Sequence, residues 1–504
     1  MVAAARHVFI SYVHEDDDQV DALCRLLEAA QIPYWRDRTS LDPGDAWKAK
    51  IRSAIRDGSL VFLACISESY RNRDRSHMNE ELTIAAEEFR SMPPGRTWLI
   101  PVRFDEGGIP EWDLGAGRSL GDLNYVDLFG DGYASQAVAL VTTIHRLMGE
   151  RQVSSATAMA AVEQSTDSSR GDLLKKLTKD ALLDPSRRIE LDDLISREAR
   201  KVVEAMNDPA RLTWNMAQGT NSEQVCAIAE AGASYWQLVR PFCESLHVAA
   251  RWGSTDLLGP WASGLRTLGS AATKQVNGFA PLTDLRALAP LTAIMTASLT
   301  CIAAGKFDNL KTLVVDPVIR DRHGSQTVPL LEAIDPYMPF NNARDIVANV
   351  LARFVTTGTT PEEAFEYYAD GRKGKYYTPL AEWMHYILGD VFADQVPDPV
   401  DFDDNFDRCE VMLGVLAQDI ANQRYGSDEN LRWRARSRWF GRSTWHAPTS
   451  NSISPVEELS RALKSEGGNW APLRALPFGG HEERAASALD AYSERFNEIA
   501  KQRF

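Results

Sequence analysis

The sequence predicts an N-terminal α/β domain built on a parallel sheet, followed by a large, mostly α-helical region. Between residues 7 and 148, short β-rich or apolar runs alternate with helical periodicity, which is the pattern of a parallel sheet covered by helices on both faces. Beyond residue 170, helical patterns dominate and β-rich runs are few. We therefore predict a first domain at 1–149, a linker at 150–170 and a helical region at 171–504, with a further division near 397.

The N-terminal elements follow from local patterns. In the first predicted helix, Val20, Leu23 and Leu27 recur at helical spacing. The continuous apolar run at 60–66 is typical of a strand buried on both faces, and Pro101 indicates an edge strand or a strand end. The predicted strands are 7–12, 33–35, 60–66, 98–104 and 125–128, and the predicted helices are 17–30, 45–55, 78–89 and 133–148.

The linker and the helical region differ in composition. Residues 151–170 are rich in Ser, Ala and Thr without an apolar period, which is typical of a linker. The uncharged run at 287–305 contains Pro290 and many hydroxyl residues, so we predict a buried helix rather than a membrane span. A basic and aromatic stretch at 432–442 could stack on a nucleotide, but its acidic surroundings favour buried aromatic residues with solvated or paired arginines.

Composition excludes several classes of protein. The chain has 504 residues with a net charge of −15, so we do not expect it to bind nucleic acid by general electrostatic attraction. Six cysteines occur without a Cys-x-x-Cys pair, which favours reduced thiols in a cytoplasmic protein. Neither a phosphate-binding Gly-rich loop nor His-x-x-x-His spacing is found, so we expect no metal site and no resident cofactor.

Polar and aromatic residues follow three predicted strands. Ser11 and Tyr12 end the first strand, Trp35 and Asp37 follow the second, and Ser67 follows the third. Open α/β sheets bind ligands beyond the carboxyl ends of their strands. Hydroxyl residues also simply terminate strands, and a mobile surface loop would explain the long polar stretch at 36–45 equally well. Together, the three strand ends predict a ligand site.

Residues 6–149 resemble the TIR (Toll/interleukin-1 receptor) domain in its bacterial form. Residues 7–12 (His-Val-Phe-Ile-Ser-Tyr) resemble its first motif, and Asp37 through Leu41 to Pro43-Gly44 resembles its BB loop. Ile66-Ser67 with Tyr70 is similar to the third strand end of the family, and residues 100–104 are similar to its fourth strand. The resemblance implies a flavodoxin-like parallel sheet.

Some members of this family cleave NAD+, and others are scaffolds without catalytic activity. In the enzymes, a glutamate opens the helix after the third strand in a pattern like Ser-Trp-x-x-x-Glu-Leu. Here residues 76–82 are Ser-His-Met-Asn-Glu-Glu-Leu, so the resemblance assigns the catalytic position to Glu81 and leaves Glu80 as its neighbour. His77 stands where the enzymes usually carry Trp, which removes an indole stacking surface. The resemblance implies NAD+ contacts from Phe9, Ser11, Tyr12, Asp37, Gly44, Trp47, Ser67 and His77.

The resemblance also implies partners. Activity is expected to require TIR–TIR assembly, the helical region is expected to bind an unknown trigger, and the biological setting is expected to be bacterial anti-phage defence by NAD+ depletion. The alternative is a TIR scaffold that mediates protein–protein interaction without catalysis. A phospho-receiver is set aside because Ser67 occupies the place of its phosphorylated aspartate and no lysine follows residues 125–128.

Overall fold

The computed structural model describes residues 7–30, 32–36, 52–55, 59–73, 75–93, 95–130, 133–148, 167–216, 219–321, 326–343, 345–370, 375–426, 436–446, 453–475 and 477–502. The chain divides into two compact units, Met1–Leu173 and Leu174–Phe504. Most of the predicted linker, residues 150–166, lies outside the described residues, so the predicted domain limits stay predictions.

The first unit contains a five-stranded sheet whose strands pair in parallel, in the order β2-β1-β3-β4-β7. A separate two-stranded antiparallel hairpin, β5-β6, follows β4 in the chain. The strands are β1 (His7–Ser11), β2 (Tyr34–Arg36), β3 (Ser59–Ile66), β4 (Leu99–Arg103), β5 (Asp113–Gly115), β6 (Arg118–Ser119) and β7 (Val126–Asp127). The parallel sheet confirms the predicted fold class.

One expectation about the sheet needs correction. Pro101 was expected at an edge or at a strand end, yet it pairs with Ala64 in the middle of β4, between β3 and β7. The strand tolerates proline because β7 is short and pairs only with Val102 and Arg103. Pro101 therefore needs no hydrogen bond to β7.

Four helices are described around this sheet: α1 (Asp17–Ala29), α2 (Glu68–Arg71), α3 (His77–Ser91) and α4 (Tyr133–Met148). Only residues 52–55 of the predicted helix at 45–55 are described. The core between sheet and helices contains Phe9, Phe62 and Trp98 together with Leu82 and Ala85 of α3. The apolar face of α3 is thereby fixed against the sheet, which sets the direction of the remaining α3 side chains.

The second unit is mostly helical, with one short hairpin formed by β8 (Val318–Arg320) and β9 (Thr327–Pro329). Its helices are α5 (Asp167–Leu183, which starts in the first unit), α6 (Arg188–Met206), α7 (Asn221–Trp252), α8 (Gly259–Thr273), α9 (Ala280–Asp284), α10 (Leu288–Ala303), α11 (Phe307–Leu310), α12 (Leu330–Ala333), α13 (Asp345–Thr357), α14 (Pro361–Ala369), α15 (Pro379–Phe392), α16 (Pro399–Tyr425), α17 (Ser443–His446), α18 (Pro455–Glu466), α19 (Ala471–Arg474) and α20 (Glu482–Gln502). The predicted helical character of this region is confirmed.

Helix α10 lies at the centre of this unit. The stretch Ala280–Ala303 is apolar and long enough to cross a bilayer, but 94% of its apolar window is buried inside the protein. The hydroxyl groups of three buried threonines donate hydrogen bonds to backbone carbonyls of the same helix: Thr292, Thr296 and Thr300. Their hydroxyl protons therefore remain paired inside the protein. The predicted buried helix is what the structure shows.

One hydrophobic cluster runs through the second unit. It includes Phe392 before position 397 and Phe402 after it, so the side chains on both sides of the predicted division share one core. In the basic and aromatic stretch, Trp439 and Phe440 are buried, while Arg438 pairs with Asp335 and Arg442 pairs with Asp403. These described residues therefore follow the structural interpretation rather than the nucleotide-stacking one.

Candidate active site

The strand order places a crevice between β1 and β3. The chain leaves β1 towards β2 on one side of the sheet, and it leaves β3 towards β4 on the other side. In open α/β sheets this reversal is the switch point at which ligands bind, beyond the carboxyl ends of the strands. Ser11 ends β1, and Ser67 follows β3 directly, so both lie at this edge.

Glu81 reaches the same edge from helix α3. The Ser11 hydroxyl donates a hydrogen bond of 2.5 Å to Glu81 Oε2, and both side chains are buried. The two residues are 70 positions apart in sequence, so the fold creates this contact. A short bond from a hydroxyl to a carboxylate holds that carboxylate in one orientation. The structure thus brings together two of the residues predicted to form the site.

The neighbouring acid occupies a different environment. Met78, Glu81, Leu82 and Ala85 are buried on one face of α3, at the spacing of successive helical turns. Glu80 is exposed, and so is His77 at the first position of the helix. Ser76 caps the helix by accepting a hydrogen bond of 3.3 Å from the Asn79 amide. The helix face therefore distinguishes Glu81 from Glu80, which the residue types alone did not.

Tyr12 belongs to a polar network that sequence reasoning missed in part. Its hydroxyl accepts a hydrogen bond of 2.8 Å from Arg36 Nε and donates one of 3.0 Å to Asp17 Oδ1. Arg36 Nη2 also donates to Asp17 at 2.6 Å. Burial raises the pKa of Tyr12 to about 12, so the phenol stays protonated at neutral pH. Arg36, the last residue of β2, thereby ties β1, β2 and α1 together beside the predicted site.

Two other predicted site residues have structural roles in the described part of the chain. Phe9 is fully buried and stacks between Trp35, at a ring distance of 4.7 Å, and Phe62, at 5.1 Å. Its ring is part of the sheet core rather than a surface towards a ligand. Ser67 is 4% exposed and caps α2 by accepting a hydrogen bond of 3.0 Å from the Tyr70 amide. Its contribution to the site is to shape the end of β3.

A further buried carboxyl lies in the turn after β1. Asp16 is 2% exposed, and burial raises its pKa, with further upward contributions from Glu15 and Asp105. The acidic run at 15–18 contained this residue, but nothing in the run indicated which of its members would be buried. Burial raises the pKa of the Cys65 thiol well above its ordinary value, and the Asp16 and Glu81 carboxyl groups contribute to the same increase. The edge of the sheet near β3 therefore carries two buried carboxyl groups.

Three predicted site residues, Asp37, Gly44 and Trp47, lie outside the described residues, and their placement stays a prediction. Within the described ranges, no group of three or more His, Cys, Asp or Glu side chains is arranged to hold a metal ion. All six cysteines are buried free thiols. The described part of the site provides the Glu81 carboxylate, which the Ser11 hydroxyl orients.

The sheet order and the site at its switch point define an open α/β domain of the flavodoxin-like class. Residues 8–141 match the family model of the TIR domain. A comparison with curated proteins gives no match. The chain is a TIR domain protein with a C-terminal helical region.

Proposed function

We propose that this protein is an NAD+ glycohydrolase that cleaves the bond between nicotinamide and ribose, with Glu81 as its catalytic residue. The observation that carries the proposal is the buried Glu81 carboxylate, held by Ser11 at the switch point of the sheet. The TIR family includes enzymes of this kind. Glu80 is exposed and does not share this buried position, so we assign the catalytic role to Glu81 rather than to Glu80.

The chemistry needs only one carboxylate. Nicotinamide leaves from a positively charged pyridinium: the bond from ribose C1′ to the ring nitrogen breaks, its electron pair stays on the ring, and neutral nicotinamide departs. The ribose becomes an oxocarbenium-like cation, which an anionic carboxylate stabilises and orients through the ribose hydroxyls. Water then adds to C1′ and releases one proton, giving ADP-ribose. Attack by a group of the substrate itself would instead give a cyclic product.

Other residues would shape the substrate pocket. Tyr12 is half-buried, and its hydroxyl is hydrogen-bonded to Arg36 and Asp17. Tyr12 would therefore contact NAD+ through its aromatic ring. Exposed His77 would offer an imidazole ring to the nicotinamide in place of indole. Asp37 and Gly44 of the BB loop, together with Trp47, would complete the pocket in this proposal. The substrate is NAD+, and no further cofactor is proposed.

Self-association is part of the same proposal. TIR domains commonly self-associate, and assembly would complete the site by bringing the BB loop of one copy to the next. The helical unit would bind the trigger that controls assembly. We place this activity in the bacterial cytoplasm, where NAD+ depletion would serve anti-phage defence. The six buried free thiols are compatible with that reducing compartment.

The first test uses the wild-type protein. Concentrated or crowded protein incubated with NAD+ is expected to release nicotinamide together with an equal amount of ADP-ribose or its cyclic form, because crowding favours TIR assembly. Chromatography of the products over time measures both. If the protein is folded and self-associated but NAD+ stays intact, the result would support the alternative, a TIR scaffold without catalysis. The exposed His77, which replaces the tryptophan of the enzymes, favours that alternative.

Ser11→Ala is expected to reduce turnover by about 10-fold with little change in KM. The substitution removes a hydrogen bond to a carboxylate, an interaction of about 1.5–3 kcal/mol, and frees Glu81 to rotate away from the ribose. Steady-state nicotinamide release gives kcat and KM separately. Ser91→Ala, at the exposed end of α3, serves as the control. A fall in thermal stability with unchanged kcat would show that Ser11 is only structural.

A further inference from the structure

A cavity of about 320 Å³ lies in the helical unit, remote in sequence from the TIR site. Its lining includes Met295 and Met384, which are completely or almost completely buried, and the buried aromatic residues Trp439 and Phe440. Tyr337 and Tyr377 also line it and are 45% and 63% exposed, so they form an accessible rim. A cavity of this size, with buried apolar walls and a partly exposed rim, is typical of small-molecule binding sites.

One buried carboxyl, Glu410 of α16, lines this mostly apolar cavity. It is 4% exposed, and burial raises its pKa to about 7, with nearby Asp407 as a second cause. No Lys, Arg or His nitrogen in the described part of the chain forms an ion pair with it. Arg442 contacts Glu410 through its backbone amide, but its guanidinium donates to Asp403 at 2.8 Å. The cavity therefore contains a carboxyl group without a counter-ion among these residues.

Backbone contacts hold Glu410 without using its full acceptor capacity. Its Oε1 accepts a hydrogen bond of 3.1 Å from the Arg442 amide, and its Oε2 accepts one of 2.9 Å from the Ser443 amide. The close approach requires glycine at 441, where a Cβ would stand 1.8 Å from Oε1. Each carboxylate oxygen can accept more than one hydrogen bond, so capacity for a further donor remains. The carboxylate is thus preorganised rather than mobile.

We propose that this cavity binds a small organic cation, whose ammonium or amidinium group pairs with Glu410 and whose apolar or aromatic body contacts Trp439, Phe440 and the rim tyrosines. A buried carboxylate gains most from a partner that both neutralises it and donates hydrogen bonds. Aromatic walls favour a flat or cationic ligand. The proposal does not depend on NAD+ cleavage by the TIR unit.

The surrounding charges favour a cation over an anion. Arg438 also lines the cavity, but it is engaged with Asp335 at 3.2 Å and its guanidinium lies 5.4 Å from the Tyr337 ring centre. A second, more polar cavity of about 400 Å³ shares Arg438 and Asn341 with the first. Its lining contains Asp284, Asp321, Glu332 and Asp335, which outnumber its basic side chains Lys274, Arg424 and Arg438. The first cavity itself is lined by two carboxyl groups, those of Asp345 and Glu410, and by one basic side chain, Arg438, so it suits a cation better than an anion.

The test is isothermal titration of the full chain with two cations, benzamidine and tryptamine, and with benzamide and benzoate as matched neutral and anionic probes. We expect at least one of the two cations to bind at submillimolar concentration and the neutral and anionic probes to bind at least 10-fold more weakly. Glu410→Gln is expected to weaken cation binding at least 10-fold. Asp404→Asn, which removes an exposed carboxylate from the same helix, is the matched control and should leave binding unchanged.

Circular dichroism and thermal unfolding establish whether Glu410→Gln folds. If it does not, the decision rests on Tyr377→Ala, which removes an exposed rim residue and is expected to weaken cation binding about 3-fold. Equal binding of benzamidine and benzamide, unchanged affinity in both variants, or no binding of either cation at millimolar concentration would each overturn the proposal.

Discussion

Glu81→Gln is expected to lower the rate of nicotinamide release by about 100-fold or more while the protein stays folded. Glutamine keeps the shape of the side chain and an oxygen that accepts the Ser11 hydrogen bond, but it removes the negative charge. Loss of one preorganised electrostatic contact to a transition state costs about 2.7–4 kcal/mol, or 10²–10³ in rate. The measurement is initial-rate nicotinamide release at saturating NAD+, beside thermal unfolding of both proteins.

Glu80→Gln is the matched control because it changes the same residue type one position away. Glu80 is exposed, so its substitution is expected to leave the rate within about 2-fold of wild type and stability within about 0.5 kcal/mol. The opposite result, in which Glu80→Gln is inactive and Glu81→Gln is active, would place the catalytic position one residue earlier. If both variants were as active as the wild type, neither carboxylate would be needed for catalysis.

Arg286→Met is expected to destabilise the helical unit by about 3 kcal/mol or more. Arg286 is 1% exposed and donates hydrogen bonds to the Met206 carbonyl at 2.6 Å and the Ala271 carbonyl at 2.7 Å. These carbonyls lie in the last turns of α6 and α8, where no helical amide follows to satisfy them. Methionine would fill the space and leave the carbonyls buried without their donor, at about 1–3 kcal/mol each.

Urea unfolding followed by circular dichroism measures this cost, with Arg200→Met as the control. Arg200 lies on α6, the helix whose last carbonyl Arg286 caps, but it is exposed and donates to the Ser196 carbonyl of its own helix at 3.2 Å. Its replacement is expected to change stability by less than about 0.5 kcal/mol. A similar loss in both variants would mean that arginine length or helix propensity, rather than capping, determines the effect.

Much of the N-terminal fold could be predicted because its information is local. The apolar run at 60–66 forms β3, and the order of strands and helices matches a parallel sheet. Not all of it was predicted: Pro101 lies in the middle of a strand, which is possible because the neighbouring strand β7 is short, and the hairpin β5-β6 was not predicted. The predicted limit near 149 lies outside the described ranges and the predicted limit at 170 falls within helix α5, so the domain limits stay predictions.

The candidate site was predicted in part. Ser11 and Glu81 were chosen from motif order, and the structure brings them into contact. Phe9 was chosen with them, but strand alternation points it into the core against Phe62. Arg36 falls within the polar stretch at 36–45 that the sequence assigns to a loop, yet it ends β2, and its hydrogen bonds to Tyr12 and Asp17 form a polar link beside the site. Asp16 was indistinguishable from its acidic neighbours until its burial was known.

The sequence by itself determined that a TIR-type α/β domain precedes a helical region, and motif order predicts Glu81 rather than Glu80 as the catalytic residue. Local periodicity carries such information, because it specifies which face of each helix or strand is apolar. Only the tertiary structure decided that Ser11 binds Glu81, that Arg286 caps two helices and that Glu410 lines a cavity. Those contacts join residues far apart in the chain, and they depend on how whole elements pack rather than on any local pattern.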